Sequence, residues 1–386
     1  MSRLRINPTG TPGAAAAGPV VLSSNSLWNI TNFRAPVVRR LAYEGWSLVV
    51  AAPATEQERT AFTLPADVMP IVLERSGLNP LRDIGLLLRY CRVLHEIRPA
   101  AYLGWTIKPN IYGALAARMA GVPAILNVSG LGTAFLGSGL LARFVGLLYR
   151  VAFARAHVIF FQNGDDRALF VERRLVRAEQ ARLLPGSGID LDHYRQVPLP
   201  EGPPTFLLIA RLLGDKGVRE YVTAARMLRE ELPGVRFRLL GPIDSDNRSA
   251  VTQGEVDGWV TEGVVDYLGT ADDVRSAIAA ASVVVLPSYR EGLPRTLLEA
   301  AAMGRPLIAT DVPGCRDLVD EGVNGTLCAA RNAGSLAEAM RRMAVFDPKT
   351  LGAMGRASRD KAECGYDERL IADAYVGALR ELAVTA

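Results

Sequence analysis

ASVVVLPSYREGLPRTLLEAAAMGRPLIATD, residues 281–311, holds two short apolar runs around a stretch of helical composition. The runs SVVVLPS and RPLIATD are continuous rather than alternating, as strands are when a parallel sheet is covered on both faces. The unit is therefore strand, helix, strand. Tyr289, Arg290 and Glu291 leave the first strand, and Pro294 suits the first helical position because its missing N–H would have no partner there. A helix start attracts anions through its free N–H groups and dipole, yet Glu291 and Glu299 bracket this one. The layout makes sense if a diphosphate sits between them on the backbone of Gly292, Leu293, Pro294, Arg295 and Thr296. Each carboxylate then meets a hydroxyl-bearing sugar on one flank, which is the plan of a nucleotide sugar.

Working outward, the same rhythm recurs along the chain. GPVVLSS, WSLVVAAP, AAYLGW, PAILNVSG and AHVIFFQN form one series of strands, and TFLLIAR, VRFRLLGP, VVDYL, ASVVVLPS and RPLIATD a second. At 386 residues the chain exceeds the roughly 250–300 at which single cores stop growing, so two domains are expected. The reading is α/β, two doubly wound domains facing a cleft, with ligands at the carboxyl ends of their strands. Boundaries are placed at 1–18 for a flexible tail, 19–185 for the first domain and 186–204 for a Pro- and Gly-rich linker. The second domain takes 205–366, and a helix over 367–386 crosses between the two.

The net charge of +4 conceals an asymmetry. Residues 1–185 hold 21 basic against 11 acidic side chains, or +10; residues 186–386 hold 23 against 29, or −6. The first half therefore faces something anionic. No motif with interleaved aromatics indicates nucleic acid. Cys91, Cys315, Cys328 and Cys364 lie far apart without zinc spacing, which suits a reducing, cytoplasmic compartment and no structural metal. The charge-free run Gly121–Ala142 has five glycines, a proline and an asparagine, a poor transmembrane helix.

In IARLLGDKGVREYV, Arg211 and Lys216 follow the second domain's first strand and offer counter-charge for a diphosphate leaving group. Only four of the 44 basic residues are lysines, so a lysine in this loop marks a place for a compact ammonium. ARLLGDKG followed by EGLPRTLLEA, a Glu-x7-Glu signature, resembles the retaining GT-B-fold glycosyltransferases of family four over nearly the whole chain. WTIKPNIYG, NVSGLGTAF, FFQNGDD and LLPGSGIDL look like the bacterial subgroup that extends sugars on undecaprenyl diphosphate, including N-acetylgalactosaminyltransferases. The resemblance implies that Arg211 and Lys216 hold the diphosphate, Glu291 the donor hexose and Glu299 the ribose. Leu268 and Thr270, in YLGTADD, would flank the base. It also implies a UDP-sugar co-substrate, no cofactor or metal, and transfer on one face of the sugar without a dedicated protein base.

The first domain is expected to bind the acceptor, a polyprenyl-diphosphate-linked sugar, through Asn32, Lys108, Asn110 and Ser129. Asn32 stands where the family often has a glycine-rich loop, and Ser129 where many members have a histidine on the donor sugar. The apolar segment 136–155, with Arg143 and Arg150 seven residues apart on one stripe, has the composition of a helix lying in an anionic membrane surface. These features together place the protein on the cytoplasmic face of the inner membrane. Plainer readings make Lys108, Lys216 and Arg295 solvated charges, Glu299 a surface helix residue, and 136–155 a core helix. Alternative functions are a UDP-sugar epimerase of the same fold, a sugar-binding protein without turnover, and a metal-dependent transferase of another fold using Asp190/Asp192 or Asp244/Asp246. A dehydrogenase reading rests on GSGLLA, residues 137–142, which fits G-x-G-x-x-A without directly following a strand.

Overall fold

The computed structural model describes residues 18–74, 79–131, 140–245, 247 and 249–385. All but Gly18 of the expected tail, the first three residues of GSGLLA, and Asp246 lie outside that set. The chain divides into two compact units, Met1–Ser187 with Glu368–Ala386, and Gly188–Asp367.

The first unit is built on seven parallel strands: β1 (Val20–Ser23), β2 (Leu48–Ala52), β3 (Asp67–Pro70), β4 (Ala101–Trp105), β5 (Ala124–Val128), β6 (Val158–Phe161) and β7 (Ala181–Leu183). Their order is 3-2-1-4-5-6-7, with Val20 in register beside both Leu48 and Ala101. The second unit has β8 (Thr205–Ile209), β9 (Arg236–Leu240), β10 (Asp266–Tyr267), β11 (Val283–Leu286), β12 (Leu307–Thr310) and β13 (Gly325–Cys328), in the order 10-9-8-11-12-13. Strand order reverses between β1 and β4 and again between β8 and β11. Ligands bind outside the carboxyl ends of the strands at such reversals.

The continuous apolar runs follow from this architecture. In β1, Val21 enters one hydrophobic layer with Tyr90 and Leu94, while Val20 and Leu22 enter the other with Val38 and Leu41. Both pleat faces are buried, so both are mainly apolar, and the one polar residue of the strand, Ser23, donates through Oγ to Ala51 O at 2.6 Å. Helix ends follow local chemistry. In Pro80–Ile97, Asn79 accepts from the N–H groups of Leu81 and Arg82, Pro80 occupies the first turn, and Arg98 closes the helix at φ 49 before Pro99.

The last helix, Glu368–Thr385, returns the chain to the first unit, where Ile371, Tyr375, Val376 and Leu379 share a layer with Val20 and Leu22. Trp105 Nε1 donates to Tyr375 Oη at 2.7 Å inside that layer. Among the described residues no helix is long and apolar enough to cross a membrane.

Candidate functional site

In the second unit, the loops after β8 and β11 meet at the reversal of strand order. Tyr289 N donates to Asp215 O at 2.9 Å, and Lys216 Nζ forms an ion pair with Glu291 Oε1. Their side chains are 23% and 15% exposed, so this pair is screened less than one on the open surface. Arg211 stands at the rim, its Nη1 2.8 Å from Asp244 Oδ2. Lys216 is thus no isolated surface charge.

Three glycines make these close approaches possible. Gly217 has φ +71, and a Cβ there would lie 2.1 Å from Pro287 O. At Gly314, φ +81, it would lie 2.5 Å from both Glu291 O and Gly292 O; at Gly241 it would meet Ala210 O at 1.9 Å. Sequence reasoning missed all three. Gly217 closes the quoted motif ARLLGDKG itself, whereas Gly241 and Gly314 follow neighbouring strands, which spacing along the chain does not reveal.

The helix after β11 runs Arg295–Ala302, with Pro294 at the N-cap rather than at the first helical position. Pro294 has ψ 113, outside the helical region, so its ring shapes the entry to the helix instead of its first turn. No side chain caps this helix start, nor that of Val218–Leu228, which follows β8. The unit's other helices of eight residues or more are capped by Thr252, Asn332 and Asp347. Among this unit's helices of eight residues or more, the two without side-chain caps therefore follow the strands at the order reversal, where their N–H groups suit an anion.

Within Arg295–Ala302, Glu299 is only 7% exposed. Arg295 Nε and Tyr194 Oη both donate to its Oε1, each at 3.0 Å. Burial raises the Glu299 pKa, with Arg295, Tyr194 and His193 pulling the other way. Arg295 is accordingly a partner of Glu299 and not a solvated first-turn charge. Leu268 and Thr270 lie exposed beyond β10, held through Leu268 N to Leu239 O and Gly241 N to Gly269 O, both 2.8 Å.

In the first unit, the segments after β1 and β4 each enter a π-helical turn, Ile30–Arg34 and Pro109–Gly113. Such turns concentrate at functional sites. A cavity of about 290 Å3 opens there, lined by Asn25, Leu73, Thr106, Lys108 and Ser129 among others. Lys108 and Ser129 come together, but Lys108 Nζ is 2.8 Å from Asp83 Oδ1, with both side chains largely buried. Asn110 is buried and spends its amide on Asn127 O at 2.8 Å, while exposed Asn32 donates back to Trp28 O at 2.9 Å. Neither lines the cavity. Thr106, which the sequence did not single out, holds φ +70 there, a rare conformation for a β-branched residue.

The helix Leu140–Phe153 exposes Arg143 and Arg150 together with Phe144, Leu147 and Val151, and buries Val145, Tyr149 and Phe153. The helix Pro80–Ile97 likewise exposes Leu81, Ile84 and Leu88 with Arg82, Arg89 and Arg92. Asp190 and Asp192 form a turn in which Asp190 Oδ1 accepts from Asp192 N and His193 N at 3.0 and 2.8 Å. Asp244 is engaged by Arg211.

Residues 20–163 match the family model for glycosyl transferase 4-like proteins, and residues 203–344 that for glycosyl transferases group 1. The N,N'-diacetylbacillosaminyl-diphospho-undecaprenol alpha-1,3-N-acetylgalactosaminyltransferase of Campylobacter jejuni is 27% identical over 366 residues, 90% of this chain and 94% of that protein. The UDP-Gal:alpha-D-GlcNAc-diphosphoundecaprenol alpha-1,3-galactosyltransferase of Escherichia coli is 26% identical over 75% of this chain and 78% of its own. Among solved structures, Anabaena Alr3699/HepE in complex with UDP superposes with a TM-score of 0.74 at 19% identity, covering 94% of this chain and all of that one. Sucrose-phosphate synthase from Thermosynechococcus elongatus gives 0.76 at 18%, covering 96% and 100%. One family model on each half and the two-sheet GT-B architecture agree, and the chain belongs to the group 1 and 4-like glycosyl transferases.

Proposed function

We propose that the protein moves a hexose, N-acetylgalactosamine or a close relative, from a UDP-sugar to an undecaprenyl-diphosphate-linked sugar, with retention and without a metal ion. The observation that carries this reading is the uncapped start of Arg295–Ala302, flanked by the Lys216–Glu291 pair and the buried Glu299. A diphosphate on that helix start draws on Lys216 and Arg211, and the backbone around Gly292 and Thr296 adds N–H donors. Lys216 then shares its charge with the phosphate, leaving Glu291 to accept from the hexose hydroxyls. Glu299 accepts from the ribose, and Leu268 and Thr270 flank the base.

In this mechanism the bond between the hexose anomeric carbon and the diphosphate oxygen loosens to an oxocarbenium-like state. The acceptor hydroxyl forms its new bond on the same face, and its proton passes to the departing phosphate oxygen. Arg211 and Lys216 stabilise the charge gathering on that oxygen, so no protein base is assigned. The acceptor sugar is placed in the cavity at Thr106, Lys108 and Ser129. Both glycosyltransferase relatives described above carry a diphospho-undecaprenol-linked acceptor in their names, which supports this class.

Membrane contact is assigned to the exposed faces of Leu140–Phe153 and Pro80–Ile97. Apolar side chains interleaved with arginines fit an anionic leaflet, with the apolar groups in the interface and the charges on headgroups. The cytoplasmic leaflet of the inner membrane is the surface this reading requires.

A UDP-release screen tests the whole reading, using several UDP-sugars with and without a short-chain undecaprenyl-diphosphate-linked sugar, in EDTA. Release is expected only with one UDP-sugar and the lipid-linked acceptor together. Loss of activity in EDTA would overturn the metal-free step, and conversion of the UDP-sugar without acceptor would point to an epimerase.

A further inference from the structure

Tyr194 sits 105 residues before Glu299 in the sequence, yet its hydroxyl lies 3.0 Å from Oε1. The turn that carries it is built for rigidity. Asp190 Oδ1 holds the N–H groups of Asp192 and His193, and Tyr194 N donates to Asp190 O at 2.9 Å. Arg359, on the helix Pro348–Gly365, donates through Nη1 to Tyr194 O at 2.8 Å and to Ala302 O at 2.7 Å. One guanidinium thus ties the turn to the last residue of the helix that bears Glu299.

A buried carboxylate needs donors, and Arg295 at i−4 already supplies one with opposite charge. A second donor, delivered from a distant braced turn to the same oxygen, restricts the side chain's rotation in a way that Arg295 alone does not. We infer that Tyr194 is a positioning residue for the donor, fixing Glu299 so that Oε2 is presented to the ribose hydroxyls. This rests on the reading of Glu299 as a donor-binding residue.

The probe is UDP alone, titrated calorimetrically over a range of pH against wild type, Tyr194→Phe, Glu299→Gln and the double variant. Tyr194→Phe is expected to weaken UDP binding about fivefold to tenfold, the net size of one ordinary hydrogen bond, because the lost contact is to Glu299 and not to UDP itself. It should also raise the pH at which affinity is lost on acidification, because the ionised carboxylate loses a donor. Arg295 and His193, which also favour that ion, are present in both proteins, so the shift reports the tyrosine. The double variant should bind no more weakly than Glu299→Gln. Additive losses, or wild-type affinity and pH profile in Tyr194→Phe while Glu299→Gln is impaired, would overturn the positioning role. Wild-type UDP affinity in Glu299→Gln would remove the donor-binding role of Glu299 itself, and that of Tyr194 with it.

Discussion

At Glu299 burial outweighs its two donors, and the carboxyl is left with a raised pKa. Its folded value lies above the unfolded one, so ionising it costs stability, and that cost is present in full once the pH exceeds the folded value. Below the ordinary value of 4.5 the cost vanishes. Glu299→Gln should therefore melt at or above the wild-type temperature at pH 7.5, with the gap closing on acidification, while UDP affinity falls. Calorimetric melting at several pH values checks the sign. Glu291 differs, being a loop carboxylate paired with Lys216 at a partly exposed site. Glu291→Ala should abolish transfer yet cost about 1 kcal/mol or less in stability, read from kinetics and melting together. Gly314→Ala forces a Cβ into the carbonyls of Glu291 and Gly292 at positive φ. It should cost about 1–3 kcal/mol and lower kcat/KM at least tenfold, since the loop bearing Glu291 must move.

Among elements, legibility tracked the length of the apolar run. The strands buried on both faces, such as Val283–Leu286, read directly as continuous apolar runs. Three sheet edges, β3, β7 and β13, did not. DVMP, ARL and GTLC are short, and the first two are half exposed, so neither apolar continuity nor strict alternation marks them. The helix Leu140–Phe153 was legible as an amphipathic stripe, whereas the parallel stripe Leu81, Ile84 and Leu88 was not recognised. Only the structure shows that Leu86, Tyr90 and Leu94 take the buried face of that helix. Replacing Arg143 and Arg150 together by Glu should weaken sedimentation with vesicles rich in anionic lipid by tenfold or more, at about 1 kcal/mol per basic residue. Melting should stay unchanged, because both side chains are exposed.

For the whole molecule, the last helix makes the first unit discontinuous in sequence. Ending the chain after Asp367 removes Ile371, Tyr375, Val376 and Leu379 from one of its hydrophobic layers, each worth about 1.5–3 kcal/mol when fully buried. Such a truncation should unfold the first unit and leave the second folded and binding UDP, which hydrogen exchange resolved by segment would show. From composition and pattern alone, the chain determined two parallel-sheet domains, the strand–loop–helix segment with Glu291 in the loop and Glu299 in the helix, and the basic loop with Arg211 and Lys216. Apolar runs and turn chemistry are local, and local order is what a sequence displays. Only tertiary structure decided that Lys216 pairs with Glu291, that Tyr194 reaches Glu299, that Asn110 turns inward, and that Gly217, Gly241 and Gly314 let the loops close. Those facts depend on which loops the strand order brings side by side, and strand order is set by long-range packing.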